Sequence, residues 1–217
     1  MDLIERIDAR IRDRHLLTHP FYTRWREGTL PVEAIQEYTR QYYAFESAFP
    51  RLLSSIHSRT EDAVVRQSLL DNLWDEEHGA ANHAELWLRF AEGMGVSRDE
   101  VRGAQANAGT TALMDTYWQI ATEASPAAAI AALYTYEAQV PEVATEKISG
   151  LRDRYGVFDT RTLGFFTVHS TLDVEHSQAE RDAIRRATDG AEAEDAVMAA
   201  TDRALDAWWG FLDAVNV

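Results

Sequence analysis

The chain has 217 residues, a net charge of −15 and no cysteine. That length is enough for one domain, residues 1–217, with a core of its own, and the missing cysteine excludes disulfides, zinc–thiolate sites and thiol nucleophiles. The acidity argues against a nucleic-acid partner, since a phosphate-binding face needs clustered Lys and Arg, and no segment reaches membrane-spanning length.

The opening Met1, Asp2, Leu3, Ile4, Glu5 and Arg6 is charged and amphipathic. It lacks the basic start and continuous apolar run of a secretion signal, so a cytoplasmic protein is expected. A first helix is predicted over roughly Asp2 to His15. His19, Pro20 and Phe21 break it, and a short helical piece reaches Glu27 before Gly28 stops it. Pro31 suits the first turn of a long helix through Tyr38, Tyr42 and Phe45 to about Phe49, where Pro50 makes a kink or a fresh start.

Glu61 to Met94 carries the longest continuous helical pattern and ends at Gly93 and Gly95. Ser97, with Glu100 three residues on, reads as the cap of a short helix. Another helix runs from about Thr110 to Glu123. Ser125 and Pro126 start the next, Gly156 closes its tail, Asp159 caps a further helix to about Thr188, and a last one follows Asp189 and Gly190. Alternating apolar and polar stretches are lacking, so the fold class is all-α, a bundle of seven or eight helices.

Three of these helices carry acids or imidazoles on faces that should be dry. Glu76 and His83 are seven apart, within about 20° of one another on a continuous helix, on a stripe with Leu69, Leu73, Ala80 and Trp87. Asp75, His78, Asn82, Glu85 and Arg89 fall on the opposite, solvated side, which makes His78 the weaker ligand candidate. Glu137 shares a stripe with Leu133 and Val140. His169, Asp173 and His176, at i, i+4 and i+7, follow one line among Phe165, Phe166, Leu172 and Ala179.

Burying three carboxylates without compensation costs several kcal/mol per ion. One such residue on an apolar face is more often a hydrogen-bonded structural group than a ligand. Six of them on three helices point instead to two metal ions, held by Glu76, His83, Glu137, His169, Asp173 and His176. Carboxylate and imidazole without thiolate suit iron or manganese, and ligand type does not exclude zinc.

Among 21 basic residues there is a single lysine, Lys147. Arginine-biased coding accounts for the scarcity but not for the position. Lys147 lies ten residues beyond Glu137, about 15 Å along the same helix if that helix continues past Pro141, which places it near the site and outside it.

The stretch His19, Pro20, Phe21, Tyr22 and Trp25, followed by Gly28, Leu30, Tyr38, Gln41 and Tyr42, resembles the opening of the haem-oxygenase-like group that includes the TenA thiaminases and the pyrroloquinoline-quinone synthases. A TenA thiaminase uses a cysteine nucleophile, absent here, and the quinone synthases are metal-free oxidases without this carboxylate set. The pattern E-x6-H, then Glu, then H-x3-D-x2-H is similar to the haem-oxygenase-like dimetal oxidases, and within them to the CADD-like p-aminobenzoate synthases.

That resemblance implies a centre of two metal ions, two irons or a manganese–iron pair, with molecular oxygen as co-substrate and an external reductant. It further implies that the protein's own tyrosine becomes the ring of p-aminobenzoate, a folate precursor, once per chain. The matching positions are Tyr22 for the ring and Lys147 for the amino nitrogen, with Tyr38 a further tyrosine lining the site. For Tyr22 alone, core filling is the more ordinary role. The sequence leaves the oligomeric state open, with a homodimer one assembly it allows, since relatives often form dimers. Two other functions stand beside this one: a dimetal oxidase acting on an external amino acid, amine or fatty acid, and a non-enzymatic interaction protein.

Overall fold

The computed structural model describes residues 1–216, without the side chain of Val174. Among the described residues the chain forms twelve α-helices and one short 3-10 turn, with no strand. The expected all-α bundle is therefore what the chain builds, cut more finely than seven or eight helices.

Asp2 caps α1 (Leu3–Asp13) in a reciprocal box with Glu5, and α2 (Pro20–Glu27) ends on Gly28, whose left-handed φ of 70° closes the helix. Pro50 gives a fresh start: α3 (Val32–Glu46) stops, and α4 (Phe49–Arg59) begins with that proline in its first turn.

The expected continuous helix from Glu61 to Met94 is two helices. α5 (Ala63–Glu77) ends at His78, Gly79 takes a left-handed φ of 84°, and Asn82 caps α6 (His83–Gly93) by accepting from the Glu85 amide. After α7 (Arg98–Arg102), with its Ser97–Glu100 capping box, and α8 (Ala108–Glu123), a second expected helix divides. α9 (Pro126–Glu137) ends where α10 (Val140–Tyr155) begins, with Pro141 in the first turn of the new helix. Asp159 does not cap the next helix directly. It holds a turn through the Thr162 amide and hydroxyl, and α11 (Gly164–Ala187) starts at its end. α12 (Ala191–Val215) completes the chain.

α9 is the axis of the bundle. Its residues from Ala127 to Thr135 are all buried, which is the signature of a helix covered on every side, and α8, α11 and α12 pack around it. Gly150 of α10 permits another close approach. A Cβ there would fall 2.4 Å from the Trp25 indole nitrogen, so only glycine lets α2 lie against α10 at this depth. Among the described residues no helix is long and apolar enough to cross a membrane.

Candidate metal centre

The six predicted ligands converge. Glu76 ends α5, His83 begins α6, Glu137 ends α9, and His169, Asp173 and His176 share one face of α11; all six are buried. The reason for the first pair differs from the sequence expectation. Glu76 and His83 do not share a helical stripe. The turn at 78–82 folds α6 back so that His83 Nδ1 comes 2.8 Å from Glu76 Oε2.

Side-chain ligand atoms form two triads, each with all atoms within 4.8 Å of one another: Glu46, His83 and His169 in one, Glu76, Glu137 and His176 in the other. Glu46, on α3, is a member that the spacing argument missed. It lies four residues after Tyr42 on the buried stripe of its helix, and that continuation was the available signal. Asp173 adjoins the second triad, with Oδ1 3.6 Å from His176 Nδ1, while the His83 and His169 rings lie 4.4 Å apart.

Several polar atoms here are orphaned. Glu46 Oε1, His83 Nδ1, Asp173 Oδ2 and His176 Nδ1 are buried and make no hydrogen bond. The close Glu76–His83 approach brings the two triads into contact with each other. Buried polar atoms are rarely left so, and four in one cluster fit a metal centre. With Glu46 included, four carboxylates (Glu46, Glu76, Glu137, Asp173) face three imidazoles, a formal charge of −4 that two divalent ions would neutralise.

Neighbouring groups orient the imidazoles. His169 Nδ1 donates to the Phe165 carbonyl at 2.8 Å, which leaves Nε2 as the free donor atom toward a metal. His176 Nε2 lies 3.1 Å from Asp75 Oδ2, which turns Nδ1 inward. Asp75, expected on the solvated face, thus serves the site from its edge. His78 is exposed and stacks on Trp74.

Burial and the crowding of like charges shift the pKa values of these groups. Burial pushes Glu46 up to about 8, helped by Glu76, and pushes Glu137 up to about 7 and Asp173 to about 6. Burial also lowers His169 to about 3. For His83 the cost of burial is outweighed by the Glu76 carboxylate, which holds it at about 9.

The structure also corrects the expectation for Lys147. Because α10 is a separate helix, Lys147 turns into the core and is buried. Its amine donates to the Tyr38 hydroxyl at 2.5 Å and sits 4.7 Å from the Tyr38 ring centroid, 5.1 Å from Phe166 and 5.6 Å from both Tyr22 and Tyr42. The Tyr22 phenol is buried beside that of Tyr38. Burial lowers the Lys147 amine to about 7. Tyr42 bonds to the Tyr136 hydroxyl and also reaches Glu46, so the aromatic enclosure and the metal cluster share a wall.

Comparison with known proteins agrees with this geometry. Residues 36–209 match a family of iron-containing redox enzymes of the haem-oxygenase type. The chain is 41% identical to the 4-aminobenzoate synthase of Nitrosomonas europaea over 98% of this chain and 90% of that protein. It is 38% identical to the 4-aminobenzoate synthase of Chlamydia pneumoniae over 97% of this chain and 93% of that one. Its fold superposes with a TM-score of 0.86 on a TenA homologue from Pseudomonas syringae, at 16% identity, covering 98% and 92% of the two chains. Fold, ligand cluster and relatives converge, and the chain belongs to the haem-oxygenase-like family of iron-containing redox enzymes.

Proposed function

We propose that this enzyme is an oxygen-dependent dimetal oxidase that produces 4-aminobenzoate, with Tyr22 as the source of the ring and Lys147 as the source of the nitrogen. The similarity to 4-aminobenzoate synthases along nearly the whole chain supports the product. The observation that carries the residue assignment is the sole lysine, buried with its amine among Tyr22, Tyr38 and Tyr42.

Glu46, His83 and His169 would hold one ion and Glu76, Glu137 and His176 the other, with Asp173 beside them; the donor set suits two irons or a manganese–iron pair. When bound, the ions supply oxygen activation, with electrons from an external reductant. The rest falls to the chain. Tyr38 holds the Lys147 amine through its hydroxyl, and burial lowers that amine to about 7, which favours its neutral, nucleophilic form. Tyr22, Tyr38, Trp87 and Phe166 exclude water around it. Forming the product from Tyr22 requires cleavage of its Cα–Cβ bond, oxidation of Cβ to the carboxyl level by oxygen, and replacement of the phenol oxygen, which leaves as water, by the nitrogen of Lys147, whose Cε–Nζ bond breaks as oxygen oxidises Cε to an aldehyde. The chain is consumed in one turnover.

The test uses protein grown on ring-labelled tyrosine, then given iron(II), reductant and oxygen in unlabelled buffer. Labelled 4-aminobenzoate, with a matching mass loss at Tyr22, is expected. Unchanged protein mass, with product formed only when an outside amine or amino acid is added, would overturn the self-derived reading.

A further inference from the structure

Glu180 of α11 is a buried acid outside both triads. It is 3% exposed, and its carboxylate oxygens meet no N–H or hydroxyl donor. Its near neighbour is another carboxyl, that of Glu137. Two buried carboxyls side by side are held together only by a shared proton or by a cation, and a cation is what the adjoining centre requires. Glu180 sits four residues after His176, one turn further along the ligand face of the helix.

Glu180 and His176 line a pocket of about 580 Å³ between α5 and α11, whose wall also holds Asp71, Asn72, Asp75 and Glu175. Asp71, Asp75 and Glu175 are exposed. His176 spans the distance inward, with Nε2 on Asp75 and Nδ1 3.8 Å from Glu137. Asn72 steadies Glu137 by donating to its carboxylate at 3.1 Å.

We propose that this pocket is the port through which divalent cations reach the centre, and that Glu180 is a transfer ligand that takes the ion from the acidic mouth and passes it to Glu137 and His176. The inference rests on the dimetal reading of the centre. A mouth whose exposed charges, Asp71, Asp75 and Glu175, are all negative concentrates the opposite ion and speeds its capture, and hard carboxylate oxygens match iron(II) or manganese(II). A lone carboxylate holds such an ion weakly, which suits transfer better than storage.

The test mixes metal-free protein with manganese(II) and follows the loss of the free-ion magnetic resonance signal. Glu180→Gln alters the transfer ligand, and the double variant Asp71→Asn/Glu175→Gln alters only exposed mouth residues. Both are expected to reach the wild-type ion count per chain, with uptake slowed ~10-fold. Wild-type uptake should also slow with added salt, and that of the mouth variant should respond less. Two ions taken up by the wild type, with both variants loading at the wild-type rate, would overturn the port alone. Fewer than two ions in the wild type would remove the dimetal reading and the port with it.

Discussion

Replacing Lys147 with methionine should make the protein more stable and abolish 4-aminobenzoate formation. The amine is buried, with its pKa lowered from 10.5 to about 7. In the unfolded chain the lysine stays protonated up to about pH 10, so between those values unfolding takes up a proton and stability rises with pH. The penalty is full below pH 7 and gone above about pH 10. At about 1.4 kcal/mol per pKa unit it reaches a ceiling of roughly 5 kcal/mol. The hydrogen bond to Tyr38 contributes about 1 kcal/mol the other way, and methionine fills much of the same volume. A net gain of about 2–4 kcal/mol at pH 7 follows. Denaturant unfolding of the metal-free proteins from pH 6 to 9.5 measures it: the wild type should close the gap to Lys147→Met as pH rises. A variant less stable than wild type at pH 7, with the same pH dependence, would show that the amine is not held in this environment.

Other substitutions separate the remaining parts. Tyr22→Phe should bind metal as the wild type does and yield no 4-aminobenzoate, measured by ion content and product assay on one preparation. Glu46→Ala removes a first-triad ligand and should weaken binding of one ion at least 10–100-fold, read by calorimetric titration. Gly150→Ala puts a methyl group 2.4 Å from the Trp25 indole nitrogen and should cost about 1–3 kcal/mol in thermal unfolding.

How much of this was legible in the sequence varies with the range of the contacts involved. The α11 ligands were readable because a helix carries its own register, and the face from His169 to His176 is one line. The same line continues to Glu180, whose burial the sequence does not show because a glutamate late in an amphipathic helix reads as solvated. Glu76 and His83 were identified through a stripe that does not exist. Gly79 and the Asn82 cap, both visible in the sequence, mark the break, and the chain reversal brings the two side chains together instead. Glu46 was hidden because a glutamate near the end of a helix reads as solvated, and only packing against α6 and α11 buries it. The Lys147 enclosure draws rings from α2, α3, α6 and α11. Local periodicity carries no information about such contacts, and the new start of α10 at Pro141 changed the direction in which Lys147 points.

The dimetal assignment underlies every step proposed for Tyr22 and Lys147, and anomalous diffraction from crystals of the iron(II)-loaded protein tests it most directly. Two peaks are expected, one among Glu46, His83 and His169 and one among Glu76, Glu137 and His176. A loaded crystal with no peak between these side chains, or with iron only at surface carboxylates, would contradict the account.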